Sequence, residues 1–367
     1  MSESVITNIY TFRNKLNMKH IYPYAMDMRA VLLFVLIVIF SISFTQLYDY
    51  QESDLLQNDP VLYTNSHSIM DTTVTAAIYD SDTDHAVQTV GKAFGRVAQT
   101  DELMSSYKND SQLNMLNENN RLENASEELL FVIGRSIYYS NISNGAFDIT
   151  IKPILDLWSA KFSPGGTYRP PSQEEIDTTL ELVDCKKIVI EGNTISTEPG
   201  MKVVLGGIAK GYAVDQAIES LIDNGIESCF VDAGGDGRYI GTKPDGIKWT
   251  VGLQNPDKQG EIITVMRLEN MAVATSGNYE RYFSDAAKVS HISDPRTGYL
   301  SRELISATVI AETTMDADAL ATTVFVLGEK EGTELIESLE GIECLIITSD
   351  KRILRSSGFT AYENTDI

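Results

Sequence analysis

Apolar positions along the chain follow three patterns. Residues 30–47 read AVLLFVLIVIFSISFTQL without one charged side chain, and eighteen such residues are just enough for a helix to cross a bilayer. Residues 72–79 are β-rich and predict a strand, whereas 86–100 and 126–140 carry apolar residues at helical spacing. Ser126 followed by Glu127 and Glu128 suits a helix start. A loop with Pro and Gly, 163–171, closes this part.

The clearest unit runs from Met201 to Asp236. Residues 202–205 predict a short strand broken by Gly206-Gly207, 208–224 an amphipathic helix closed by Gly225, and 227–231 a second strand ended by Asp232-Ala233-Gly234-Gly235. Further strands are expected at 249–253, 262–268, 306–310 and 343–348, with helices at 316–327 and 330–339. Helices and strands are mixed throughout with no repeat or heptad, so the fold class is α+β.

Charge orders these segments. Arg13, Lys15, Lys19 and Arg29 precede the apolar run, and Asp49, Glu52 and Asp54 follow it. The positive-inside rule then gives a cytoplasmic leader (1–29), a transmembrane anchor (30–47), a polar stalk (48–67), an extracytoplasmic globular domain (68–350) and a C-terminal tail (351–367). A cleaved signal peptide competes with the anchor, but the leader is long for one and no cysteine follows the run to take a lipid. The net charge of −23 repels phosphate backbones and argues against nucleic acid as a partner. Cys185, Cys229 and Cys344 lack metal-binding spacing and read as buried free thiols.

Four places carry candidate chemistry. Leu205-Gly206-Gly207-Ile208-Ala209-Lys210-Gly211 sets two glycines at a strand-to-helix corner, where backbone N–H groups and Lys210 favour a phosphate. It matches neither G-x-x-x-x-G-K-[ST] nor G-x-G-x-x-G, and a plain structural corner explains the same residues. Asp318 and Thr322 lie four apart on one helix face. Carboxylate and hydroxyl together suit magnesium, and Asp318 as a cap of the first helical turn is the alternative. His291, in Ser290-His291-Ile292-Ser293-Asp294-Pro295, is one of four histidines and a candidate proton acceptor. Gly145-Ala146-Phe147-Asp148, followed by Pro153 and Trp158, could wall a flat ring or belong to the core.

Seven segments in order resemble the ApbE-type FAD:protein FMN transferases. They are Leu103-Met104-Ser105-Ser106-Tyr107 with Ser111 and Asn117; Gly145 to Thr150 with Pro153 and Trp158; Gly207 to Asp215; Val231 to Asp236; Ser276 to Arg281; His291 to Pro295; and Ala317 to Thr322. The resemblance covers residues of about 68 to 350 and implies two intimately packed α/β subdomains with a flavin nucleotide site between them. It implies that Met70, Tyr107, Ala146, Phe147, Asp148, Lys210 and Ile292 line the FAD site. Gly207, Asp318 and Thr322 would hold Mg²⁺, or Mn²⁺ in its place, and His291 would be the catalytic base. The sequence departs from the family at Asp71, where glycine is usual, and at Val204, where an aspartate expected to contact FAD is usual.

The reaction so implied is Mg-dependent transfer of FMN from FAD to a Thr or Ser hydroxyl of an acceptor protein, with release of AMP. An FAD pyrophosphatase, in which water replaces the hydroxyl, shares the same residues. A non-catalytic FAD-binding protein is a third reading, which Val204 keeps open.

Overall fold

The computed structural model describes residues 38–40 and 59–364, apart from 164, 257–259, 279–281, 285–288 and 291. In chain order the elements are β1 Val61–Ile69, β2 Thr72–Asp80, α1 Thr83–Met104, α2 Gln112–Asn119, β3 Arg121–Leu122, α3 Glu127–Ile142, α4 Lys152–Phe162 and α5 Gln173–Leu180. There follow β4 Val189–Glu191, β5 Thr194–Ser196, α6 Ala209–Asp223, β6 Cys229–Ala233, β7 Asp236–Ile240, β8 Trp249–Gln254, β9 Ile262–Leu268 and β10 Met271–Gly277. The last are β11 Tyr282–Ser284, β12 Val289–Ser290, β13 Leu304–Ala311, α7 Thr314–Glu337, β14 Glu343–Thr348 and β15 Ile353–Arg355.

Eight strands form one sheet in the order β1-β2-β6-β7-β10-β13-β14-β15, and every neighbouring pair is antiparallel. Because side chains alternate along a strand, the inner strands of the sheet feed cores on both faces. Val74, Ala76, Ile78, Val231 and Ala233 pack on α1 and α6 residues such as Val90, Phe94, Val214 and Ile218. Ala274, Ala307 and Val309 meet Leu320, Val324 and Phe325 of α7. Val273, Ile310 and Leu345 point the other way, onto Trp249, Leu253, Met266 and Phe359. Helices α1, α6 and α7 thus cover one face, and the β8–β9 hairpin covers the other. Residues from Asp59 onward form one compact unit, built around the eight-stranded sheet.

Local chemistry explains several boundaries. The β1–β2 hairpin closes through Met70 and Asp71, both with φ near +55°, the pattern of a two-residue type I′ turn. Asp71 therefore sits where glycine is the easy choice, a conformation that Asp tolerates better than most residues. Ser126 caps α3 by accepting the Leu129 amide. The two helices expected at 316–327 and 330–339 are one element kinked at Gly328, with φ 82° and ψ −167°, where the Glu303 carboxylate accepts the Glu329 amide.

Three expectations are corrected. Residues 202–205 form no strand: Lys202 makes only an isolated bridge to Ile151. The Asn117 side chain takes both backbone groups of Val203, at 2.8 and 2.6 Å, in the place of a neighbouring strand. Residues 61–67 of the stalk belong to β1, whose backbone pairs along the length of β2. The tail contributes β15 and the fully buried Phe359 to the fold. The three cysteines are free and buried, as expected.

The anchor falls on residues of which only 38–40, in helical conformation, are described; the rest of it lies outside the described residues. Among the described residues no helix is long and apolar enough to cross a membrane.

Candidate active site

The start of α6 packs against the start of α7. A Cβ on Gly211 would lie 2.4 Å from the Thr314 carbonyl oxygen, so only glycine permits this approach. Two carboxylates stitch the helices together. Asp215 of α6 accepts the Thr314 and Met315 amides, each at 2.9 Å, which caps α7 from outside, and Arg238 pairs with it at 3.2 Å. In return, Asp318 of α7 accepts the Gly211 amide at 3.0 Å. Asp318 is therefore no cap of its own helix; that role falls to Thr313, which accepts the Asp316 amide.

One turn along α7, Thr322 faces the glycine corner. A Cβ on Gly207 would stand 2.9 Å from Thr322 Oγ1 and 3.4 Å from Phe147 Cε2. On the other side, Thr322 Oγ1 lies 3.1 Å from Ser276 Oγ, near the end of β10. Asp318, Thr322, Ser276 and the Gly207 backbone offer hard oxygen donors only, and the missing Cβ leaves that corner open. This donor chemistry fits Mg²⁺ or Mn²⁺ and not zinc. The phosphate cradle expected at the start of α6 is narrower than the sequence implies: the Ala209 amide bonds the Leu205 carbonyl, and the Gly211 amide is taken by Asp318.

Lys210 reaches an acidic pair, buried Asp236 and half-buried Asp232. Its Nζ lies 2.8 Å from Asp236 Oδ2, and Asp236 Oδ1 accepts the Thr275 amide at 3.3 Å. Asp232 stands nearby and accepts the Gly235 amide. Burial pushes the Asp232 carboxyl up to about 6; the charge of Asp236 adds to this, and the Gly235 amide and Lys210 oppose it.

Comparisons with known proteins place this geometry. The model of the ApbE family matches residues 70–346. The chain belongs to the ApbE family. It is 33% identical over 276 residues to the FAD:protein FMN transferase of Vibrio cholerae, covering 73% of this chain and 80% of that one. The Haemophilus influenzae protein of the same name is 35% identical over 269 residues, covering 69% and 77%. The crystal structure of the ApbE protein from Thermotoga maritima superimposes with a TM-score of 0.75 at 32% identity, over 83% of this chain and 100% of that one.

The residues that ApbE resemblance singles out are partly gathered. Ala146, Phe147 and Ile292 lie in one core cluster with the residues flanking Asp318 and Thr322, and Met70 packs against it. Phe147 is 4% exposed and meets Tyr139 edge-on at 6.0 Å, so its ring belongs to the core behind Gly207. The Asp148 carboxylate takes the Thr150 amide and hydroxyl and the Cys185 amide at 2.6–2.8 Å; it holds its own loop, and burial raises its carboxyl above the usual range. Tyr107 stands 81% exposed. Val204, in place of the family's aspartate, packs against the cluster of Ile151, Ile154, Trp158 and Leu300. His291 lies outside the described residues.

Three residues of the site had no role in the sequence: Ser276, Asp215 and Asp236. Each sits in a family segment, and the spacing Asp232-Ala233-Gly234-Gly235-Asp236 was the one visible signal. Their partners are distant in the chain, 46 residues away for Ser276, 99 for Asp215 and 39 for Asp236.

Proposed function

We propose that this chain transfers FMN from FAD to a Thr or Ser hydroxyl of an acceptor protein, with release of AMP. Membership of the ApbE family and relatives named FAD:protein FMN transferase support the flavin, the transfer and the protein acceptor. The observation that carries the reading is the convergence of the Gly207 corner, Asp318, Thr322 and Ser276 into one hard-oxygen corner beside Lys210.

Gly207, Asp318 and Thr322 would hold Mg²⁺, which when bound neutralises charge on the FAD diphosphate. Lys210 offers the diphosphate a cation at the start of α6. His291 accepts the proton of the acceptor hydroxyl. The freed oxygen bonds to the FMN-side phosphorus, the bond from that phosphorus to the bridging oxygen breaks, and AMP leaves carrying that oxygen. Asp215 and Gly211 keep the two helix starts in register, so that Asp318 faces the corner.

The catalytic region belongs outside the cytoplasm, on a single-pass anchor at 30–47, which the uncharged run and its basic leader support. The test is incubation of the purified chain with FAD, Mg²⁺ and a candidate acceptor. Protein-linked flavin fluorescence with AMP release is the expected result. Free FMN alone indicates a pyrophosphatase, and bound FAD with no AMP indicates a carrier.

A further inference from the structure

Lys210 is held by a carboxylate to which the reaction described above gives no part. Asp236, the first residue of β7, is 1% exposed. Burying a carboxylate so deeply is unfavourable unless it is paired and hydrogen-bonded, and Asp236 has both kinds of partner: Lys210 on one oxygen and the Thr275 amide on the other. Thr275 immediately precedes Ser276, whose hydroxyl meets Thr322. One side chain therefore ties the lysine of α6 to the strand that walls the oxygen corner. A lysine is a point charge on a flexible four-carbon stem, so left alone it would present its ammonium in many positions.

We propose that Asp236 is a positioning residue for FMN transfer, acting through Lys210. It fixes the ammonium next to β10, beside the Ser276–Thr322 pair, so that FAD meets a pre-set cation. The inference rests on the proposed function of this site. A merely structural ion pair would instead hold α6 to β7 with no consequence for the nucleotide.

A double-mutant cycle separates the two. Asp236→Asn keeps the size and the acceptor for the Thr275 amide but removes the charge, and Lys210→Met removes the ammonium. The full chain is titrated with FAD in MgCl₂ by flavin fluorescence for wild type, both single variants and the double variant, with a thermal melt of each. Asp236→Asn is expected to weaken FAD binding about tenfold, the scale of one contact to a charged group, with no further loss when it is added to Lys210→Met. Wild-type affinity in Asp236→Asn, or the same fold-loss in both backgrounds, overturns the proposal. A lower melting temperature without the coupling marks a structural ion pair and also overturns it. Wild type that binds no FAD overturns the function itself, together with this inference.

Discussion

Asp318 of α7 accepts the amide proton of Gly211 in α6 at 3.0 Å. This bond joins the two segments that together make the oxygen corner, and it separates the fold from the chemistry. Asp318→Asn keeps an oxygen that can take the Gly211 amide but loses the charge that a hard cation needs. The variant should melt near wild type while its Mg²⁺-dependent AMP release falls on the order of 100-fold, the scale of removing one electrostatic contribution to the transition state. Steady-state rates across a Mg²⁺ titration check this, and an unchanged titration removes Asp318 from the ligand set.

Much of this framework is legible in the sequence and some of it is not. Periodicity finds α1, α3 and α6 because each has an apolar stripe that packs into a core. It misses β10, since Thr275-Ser276-Gly277 look like a polar turn and yet pair with β13 as far as Gly277↔Ser306. It invents a strand at 202–205 because Asn117, 86 residues away, supplies the hydrogen bonds that a strand would have supplied. The Asp318–Thr322 pair is visible as an i, i+4 spacing on one helix. Asp215 and Asp236 are not, because their partners come from elements brought near only by the folded sheet.

Gly211→Ala tests the contact between the helix starts. The added Cβ would meet backbone, the Thr314 carbonyl oxygen at 2.4 Å, which no rotamer change relieves. Denaturant unfolding should show a loss of about 1–3 kcal/mol or more, the range for overpacking a close contact. Wild-type stability would mean that α6 and α7 separate freely.

Asp232→Asn tests the acidic pair. The carboxyl of Asp232 is pushed up to about 6 from an ordinary value of 3.8, so the folded state favours its protonated form. Its stabilising contribution is complete below the unfolded value and is lost as pH rises through about 6. Unfolding free energies should therefore match at about pH 3 and diverge toward pH 7, with the Asn variant more stable by up to about 3 kcal/mol. A constant difference across that range contradicts the assignment.

His291→Ala addresses the proton acceptor. Loss of a general base should slow transfer by about 10² to 10⁴-fold, while FAD affinity stays within a few-fold of wild type. Single-turnover assays and FAD titration read the two effects apart, and transfer at the wild-type rate excludes His291 as the base.

The most direct measurement is intact-protein and peptide mass spectrometry of proteins co-expressed with the wild-type chain or with Asp318→Asn. An FMN phosphoester on a Thr or Ser of a partner protein, present with wild type and absent with the variant, is the predicted result. No flavin-modified protein in either sample, while purified wild type binds FAD and leaves it intact in Mg²⁺, would contradict it.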